Sequence, residues 1–342
     1  MLKRALASAV LLFVAAAVGP AATGAAGSAA PPSAPPDALR SLPAGDMIVT
    51  LNVDALVNKS LPGWLASDPE SLKRLDDTVA KVRTETGIDL RTVQQVTMSV
   101  TMPENADTDF AALLTGSFDQ ARLVDALKAS KGGATARTET YGGATVHVFS
   151  TKVSAPGVVA VSTGDAAFTV VDPRTIIVGS LASVRASLDA RAGRAPSAAS
   201  NAELLALFDE ATPAGVGRFA MKMPAATVKA ELAKDPTNTV LQNFALVRYV
   251  FGSIDVASGL GVRAVARTGA AADASSLLGA LNALKGIGLV AVGSQTQLAD
   301  VLNRAALGAK GADVTLTLEL PAASIPVLLK SLRPAAPPKP LA

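Results

Sequence analysis

Apolar and polar side chains alternate over residues 47–54. Met47, Val49, Leu51 and Val53 fall on one side, and Ile48, Thr50, Asn52 and Asp54 on the other. A period of two predicts a half-buried strand. The period then becomes helical. Leu72, Leu75, Val79 and Val82 share one face behind Asp68-Pro69, an N-cap followed by a first-turn proline, and Gly87 closes the helix. Residues 93–102 and 110–115 predict two strands joined by a polar loop with Pro103, Asn105, Asp107 and Asp109. Between Gly132 and Asp172 short strands follow one another without helices. Gly142-Gly143 predicts a hairpin turn there, and Pro156-Gly157 and Gly164-Asp165 mark later breaks.

One unit recurs: an apolar strand, then Gly-Ser, then an amphipathic helix. Its copies are Ala112–Ser117 running on to Leu127, Thr175–Ser180 running on to Leu188, and Leu289–Ser294 running on to Leu302. In each, glycine lets the chain turn and serine begins the helix. Beyond a small-residue stretch at 192–200, a helix is predicted over Ala202–Glu210, with strands at 218–223, 249–256, 260–267 and 314–320. A helix near Asp273–Leu284 lies among them. These correspondences predict an α+β fold of two similar halves, 41–195 and 196–333. Each half is a mainly antiparallel sheet with helices packed on one face.

The ends are of another kind. Lys3 and Arg4 precede the apolar run Ala5–Val18, and small residues crowd the stretch up to Gly27, so residues 1–27 are expected to be a secretory signal peptide. The alternative is that this segment stays as an anchor. Residues 28–40 form a Pro/Ala-rich linker, and 334–342 a Pro-rich tail. No other stretch reaches about 18 uninterrupted apolar residues. The expectation is therefore a secreted or periplasmic protein with no integral membrane segment after cleavage.

Composition narrows the chemistry. Formal charge is +3, of which Lys3 and Arg4 supply two, so the processed chain lacks the basic excess that nucleic acid requires. Without cysteine there is no disulfide, thiolate or lipid-acceptor thiol. His147, the single histidine, lies on a strand opposite Val146 and Val148; a Ser-His-Asp arrangement would need it, but no Gly-x-Ser-x-Gly turn accompanies it. Asp76-Asp77 reads as a solvated helix face, and Asp107 and Asp109 lack calcium-loop spacing. The Gly-Ser turns could hold an anion at a helix start, yet no lysine follows them and no glycine-rich phosphate loop is present. Asn58-Lys59-Ser60 fits a glycosylation acceptor, Trp64 is expected to pack beneath a loop, and Phe219, Met221 and Met223 line one strand face. No catalytic, cofactor or metal residue is assigned from these patterns.

Leu42-Pro43-Ala44 before a strand, and Thr86-Gly87-Ile88-Asp89-Leu90 leading into the next, resemble a loose group of uncharacterised secreted bacterial proteins of the domain-of-unknown-function type. The group commonly opens Leu-Pro-Ala-Asp; here Gly45 stands before Asp46. The resemblance implies no catalytic residues. The expected role is a non-enzymatic binding or structural protein of the cell envelope or periplasm, with an unknown protein or envelope partner. The alternatives are a hydrolase using His147 or scattered carboxylates, and a carrier of an apolar ligand between the halves.

Overall fold

The computed structural model describes residues 36–103, 108–129, 136–150, 165–211, 215–293 and 295–331. Residues 1–27, expected to be a signal peptide, the tail 334–342, Asn105, Asp107, Pro156-Gly157, Gly164 and Ser294 lie outside the described residues. The helices are α1 (Pro36–Arg40), α2 (Leu61–Leu65), α3 (Pro69–Thr86), α4 (Gln120–Ala129), α5 (Leu181–Arg191), α6 (Ala202–Glu210), α7 (Ala225–Lys234), α8 (Thr239–Phe244), α9 (Ala271–Val292), α10 (Thr296–Arg304) and α11 (Ser324–Ser331). The strands are β1 (Met47–Asn52), β2 (Val93–Thr101), β3 (Asp109–Gly116), β4 (Ala136–Tyr141), β5 (Ala144–Ser150), β6 (Asp165–Asp172), β7 (Thr175–Ser180), β8 (Gly217–Lys222), β9 (Val247–Asp255), β10 (Gly259–Thr268), β11 (Ala306–Lys310) and β12 (Asp313–Pro321).

These strands form one sheet in the order β11-β12-β10-β9-β8-β1-β2-β3-β7-β6-β5-β4. Every ladder is antiparallel, so the α+β class read from the sequence is the class observed. Strands β1–β7 lie on one side of the β1–β8 ladder and β8–β12 on the other. That ladder, with Ile48 opposite Ala220 and Thr50 opposite Arg218, carries the sheet unbroken past residues 192–200.

Helices cover both faces of the sheet, where one covered face was expected. The reason is visible in β3, whose consecutive residues Ala111, Ala112, Leu113 and Leu114 are all buried, as in a strand covered on both sides. Ala111 and Leu113 join a core with Ile48, Ile177 and Phe251, roofed by Val184 and Leu188 of α5 and by Leu204, Leu207 and Phe208 of α6. Ala112 and Leu114 face the other way, against Val79 of α3 and Leu123 of α4. On that second face Trp64 of α2 and Ile325 of α11 pack with Ile254, Leu260 and Leu320.

Local signals were accurate where a polar side chain could close a turn. Asp68 accepts from the Ser71 backbone N–H at the start of α3, and Gly87, at φ 75°, ends it. Gly142 and Gly143, both left-handed, make the β4–β5 turn. Ser180 caps α5 by accepting from the Ser183 N–H at 3.0 Å.

The other two copies of the strand–Gly–Ser–helix unit differ from this one. After Gly116-Ser117 the helix starts only at Gln120, and Asp119, not Ser117, accepts from the Arg122 N–H. Leu289–Val292 is no strand at all but the last turn of α9, which Gly293 ends. A four-residue apolar run does not separate strand from helix by periodicity, and the Ala- and Leu-rich stretch before it propagates helix through it. The duplication thus loses its repeating device. Residues 36–40, placed in the linker, form α1, whose Ala38 and Leu39 enter the core. Elements without a forecast are the edge strand β11, the helices α2, α7, α8 and α11, and a π-helical turn at Asp54–Ser60.

Candidate interaction surface

The sequence candidates scatter over the fold. His147 stacks on Phe168, ring centroids 4.7 Å apart, across the β5–β6 ladder. Asp76 pairs with Arg91, and Asp77 with Lys73 at 2.7 Å, on the solvated face of α3. Asp109 accepts from the Ser180 hydroxyl at 2.8 Å, tying β3 to the start of α5. Asn58 is used structurally: its amide donates to Asp54 and to the Arg91 carbonyl. The first of these bonds is the main cause holding the Asp54 carboxyl below its ordinary pKa. Trp64 is 3% exposed; it was expected beneath a loop, and it packs in the core from within α2. Phe219 is buried, and Met223 packs against the core beside α9. Among the described residues, no group of three or more His, Asp and Glu is placed to hold a metal ion.

Three features remain. The first is an open groove of about 620 Å³ between α3 and α4, lined by Asp76, Arg83, Asp89, Arg91, Arg122 and Asp125. Its charges are met nearby: Arg83 with Asp89 at 3.4 Å, Arg122 with Asp119 at 3.2 Å, and Arg91 with Asp76. The second is a buried polar row across four strands: Ser253, Arg218, Thr50 and Thr97. The Arg218 guanidinium sits 4.5 Å from the centre of the Phe208 ring, and its Nη2, like Thr50 Oγ1, has no hydrogen-bond partner among the described residues. Burial pushes its pKa down, and Asp209, 3.9 Å away, offsets this only in part.

The third is α9. Its first turns are bedded: Ala274 and Leu277 are buried with Val247 and Val314 against the sheet, where Val250, Ala266 and Leu281 add to the contact. Its last turns run beside α10. Lys285 Nζ donates to the Ala305 carbonyl at 2.6 Å, satisfying a carbonyl at the end of α10. Gly288 leaves room for Leu302, whose methyl would lie 3.2 Å from a Cβ there. The opposite side of these turns is bare. Ala283, Gly286, Ile287, Val290 and Ala291, at helical spacing, all point outward. Ile287 is 66% exposed and Val290 83%. Among the described helices α9 alone is long and apolar enough to cross a membrane, and little of it is buried. Beside it β11, exposed along most of its length, forms the outer edge of the sheet.

Sequence reading missed this surface because its two halves were assigned to different elements. With 271–292 read as a single helix, the apolar stripe from Ala283 to Ala291 is legible.

No protein-family model matches the chain, and no curated protein matches it. Among solved structures the fold is similar to two crystal forms of TP0453. Form IV aligns with a TM-score of 0.42 and 12% identity over 85% of this chain and 95% of that one. Form I aligns with a TM-score of 0.40 and 10% identity over 86% and 96%. At these levels the likeness says nothing about activity.

Proposed function

We propose that this chain is an exported bacterial envelope protein that acts by contact rather than by catalysis, with the outward stripe of α9 as its contact surface. The observation that carries the reading is the exposure of Ile287 and Val290 on a helix whose first turns are bedded in the fold. Contiguous apolar surface left bare marks an interaction site more often than chance. If covering these two side chains recovers the exposed share of a full burial, it is worth roughly 2–4 kcal/mol, enough to bias a location. The charged amino terminus and apolar run at residues 3–18 support export.

The test is cell fractionation of the chain and of Ile287→Gln/Val290→Gln, with mass spectrometry defining the amino terminus of each. The pair of substitutions should shift processed protein from the envelope fraction to the soluble fraction. Equal retention of a processed variant would refute the assignment of the surface.

A further inference from the structure

We infer that the buried polar row beneath α6 is a site for a small monovalent anion, held on the Arg218 guanidinium with the Thr50 hydroxyl beside it.

The ladder places the groups. Thr50 of β1 stands directly opposite Arg218 of β8, so the two side chains leave one face of the sheet with their Cβ atoms about 5 Å apart. Ile48 and Ala220, two residues along on the same face, pack with Leu204, Leu207 and Phe208 of α6. Ser253 and Thr97 continue the row on either side. All four members of the row are 6% exposed or less. Two of its atoms, Arg218 Nη2 and Thr50 Oγ1, have no hydrogen-bond partner among the described residues.

A buried cation with a free donor is a costly state. Stacking holds the guanidinium 4.5 Å from the centre of the Phe208 ring but supplies no acceptor. Asp209 lies 3.9 Å from Nη1, outside hydrogen-bond reach, and its side chain is 77% exposed. Water therefore screens much of its attraction.

The same molecule shows what such a cation takes. Arg267 stacks 5.0 Å over Phe251, and its fork holds two carboxylates, those of Asp313 and Glu210. The neighbours registered beside Arg218 are Thr50 and Ser253, which bring hydroxyls and no charge. A bound anion supplies both missing elements: lone pairs for Nη2 and a countercharge for the guanidinium. It also accepts the hydrogen of the Thr50 hydroxyl. Water would supply the lone pairs alone. Burial limits the ligand to a few atoms, the class of formate or chloride. Asp209, on the solvent side of the guanidinium, opposes this ligand by like charge.

The experiment is urea unfolding followed by Trp64 fluorescence, with sodium gluconate replaced stepwise by sodium formate or by sodium chloride at constant ionic strength. Gluconate is a carboxylate too large for a buried position. The parent midpoint should rise with formate, the folded-to-unfolded ratio growing about elevenfold at ten times the dissociation constant. Arg218→Met should stay near the parent in gluconate and show no such rise. Thr50→Val should weaken the response severalfold, and Asp209→Asn should strengthen it severalfold. A rise with formate and not chloride identifies a carboxylate bound through the planar fork; a rise with both identifies a site for any anion of that size. An equal response in the parent and Arg218→Met overturns the inference, as does no response of the parent to either anion. If Arg218→Met does not fold, the other two variants decide: opposite shifts in Thr50→Val and Asp209→Asn support the site, and unchanged responses in both overturn it.

Discussion

Two arginines in this fold carry the same stacking contact but opposite pairing. Arg218 lies 4.5 Å over Phe208 and Arg267 lies 5.0 Å over Phe251. Arg267 also forks onto Asp313 at 2.8 and 2.7 Å and onto Glu210 at 3.1 and 2.8 Å, joining β10, β12 and the end of α6. Those hydrogen bonds, to Asp313 first, raise its pKa further above the guanidinium range. Among the described residues, the Arg218 Nη2 has no hydrogen-bond partner and the exposed Asp209 lies 3.9 Å away. Replacing each by methionine keeps a flexible apolar stem and removes the charge. At Arg267 the loss is two charge-assisted pairs, one discounted because Glu210 is half exposed; the expected cost is about 2–3 kcal/mol. At Arg218 the lost stacking, about 1–2 kcal/mol, is set against relief of an unsatisfied buried donor, about 1–3 kcal/mol. The net effect is within about 1 kcal/mol of zero, of either sign. Urea unfolding of both variants beside the parent measures the contrast. Arg267→Met should lower the midpoint by roughly 1 M at unchanged slope, and Arg218→Met should barely move it. If Arg218→Met costs as much as Arg267→Met, the guanidinium is satisfied after all and the reasoning fails.

The two surviving strand–Gly–Ser–helix turns should separate by mutation: Ser180→Ala is expected to cost about 1 kcal/mol, as it removes a cap and the bond to Asp109. Ser117→Ala should change stability by less than about 0.5 kcal/mol, since Asp119 holds that cap; urea midpoints of both variants decide. Gly252→Ala should destabilise by more than about 2 kcal/mol, because a Cβ there would lie 2.0 Å from the Arg263 carbonyl oxygen; a thermal midpoint equal to the parent's would contradict it. On acidification, Asp189 and Asp54 should cost stability. The Tyr141 hydroxyl chiefly lowers the Asp189 pKa, and the Asn58 amide that of Asp54. A carboxyl with a lowered folded pKa contributes its stability in full above the unfolded value and loses it as pH falls through the folded one. Unfolding free energy should therefore decline below about pH 4, and less steeply in Asp189→Asn; a parallel decline would count against the Tyr141–Asp189 bond.

What could be read in the sequence was set by local chemistry. Asp68, Gly87, Gly142-Gly143 and Ser180 each close a turn with their own atoms or φ, and each was placed correctly. The alternation at Met47–Asn52 gave a strand for the same reason. Leu289–Val292 failed because apolar identity alone serves helix and strand equally, and the winner was decided by helix arriving from residue 271. Coverage of both faces depends on which helices return to which side, and this is a long-range property. It was nevertheless encoded in the unbroken burial of Ala111–Leu114, a run too apolar for a half-exposed strand. The buried row through Arg218 and Thr50 was illegible, since those residues meet only when β8 is laid beside β1.

That meeting also bears on how the chain reaches its folded state. β1 is among the first strands to be synthesised, yet Thr50 finds Arg218 roughly 170 residues later, a closure that is slow to form. Until β8 arrives, the Met47–Asn52 edge has β2 on one flank and nothing on the other, an open template for intermolecular pairing. Were the chain exported as proposed, emerging lengthwise through a channel would keep that edge apart from its own copies until the strand that seals it has been delivered.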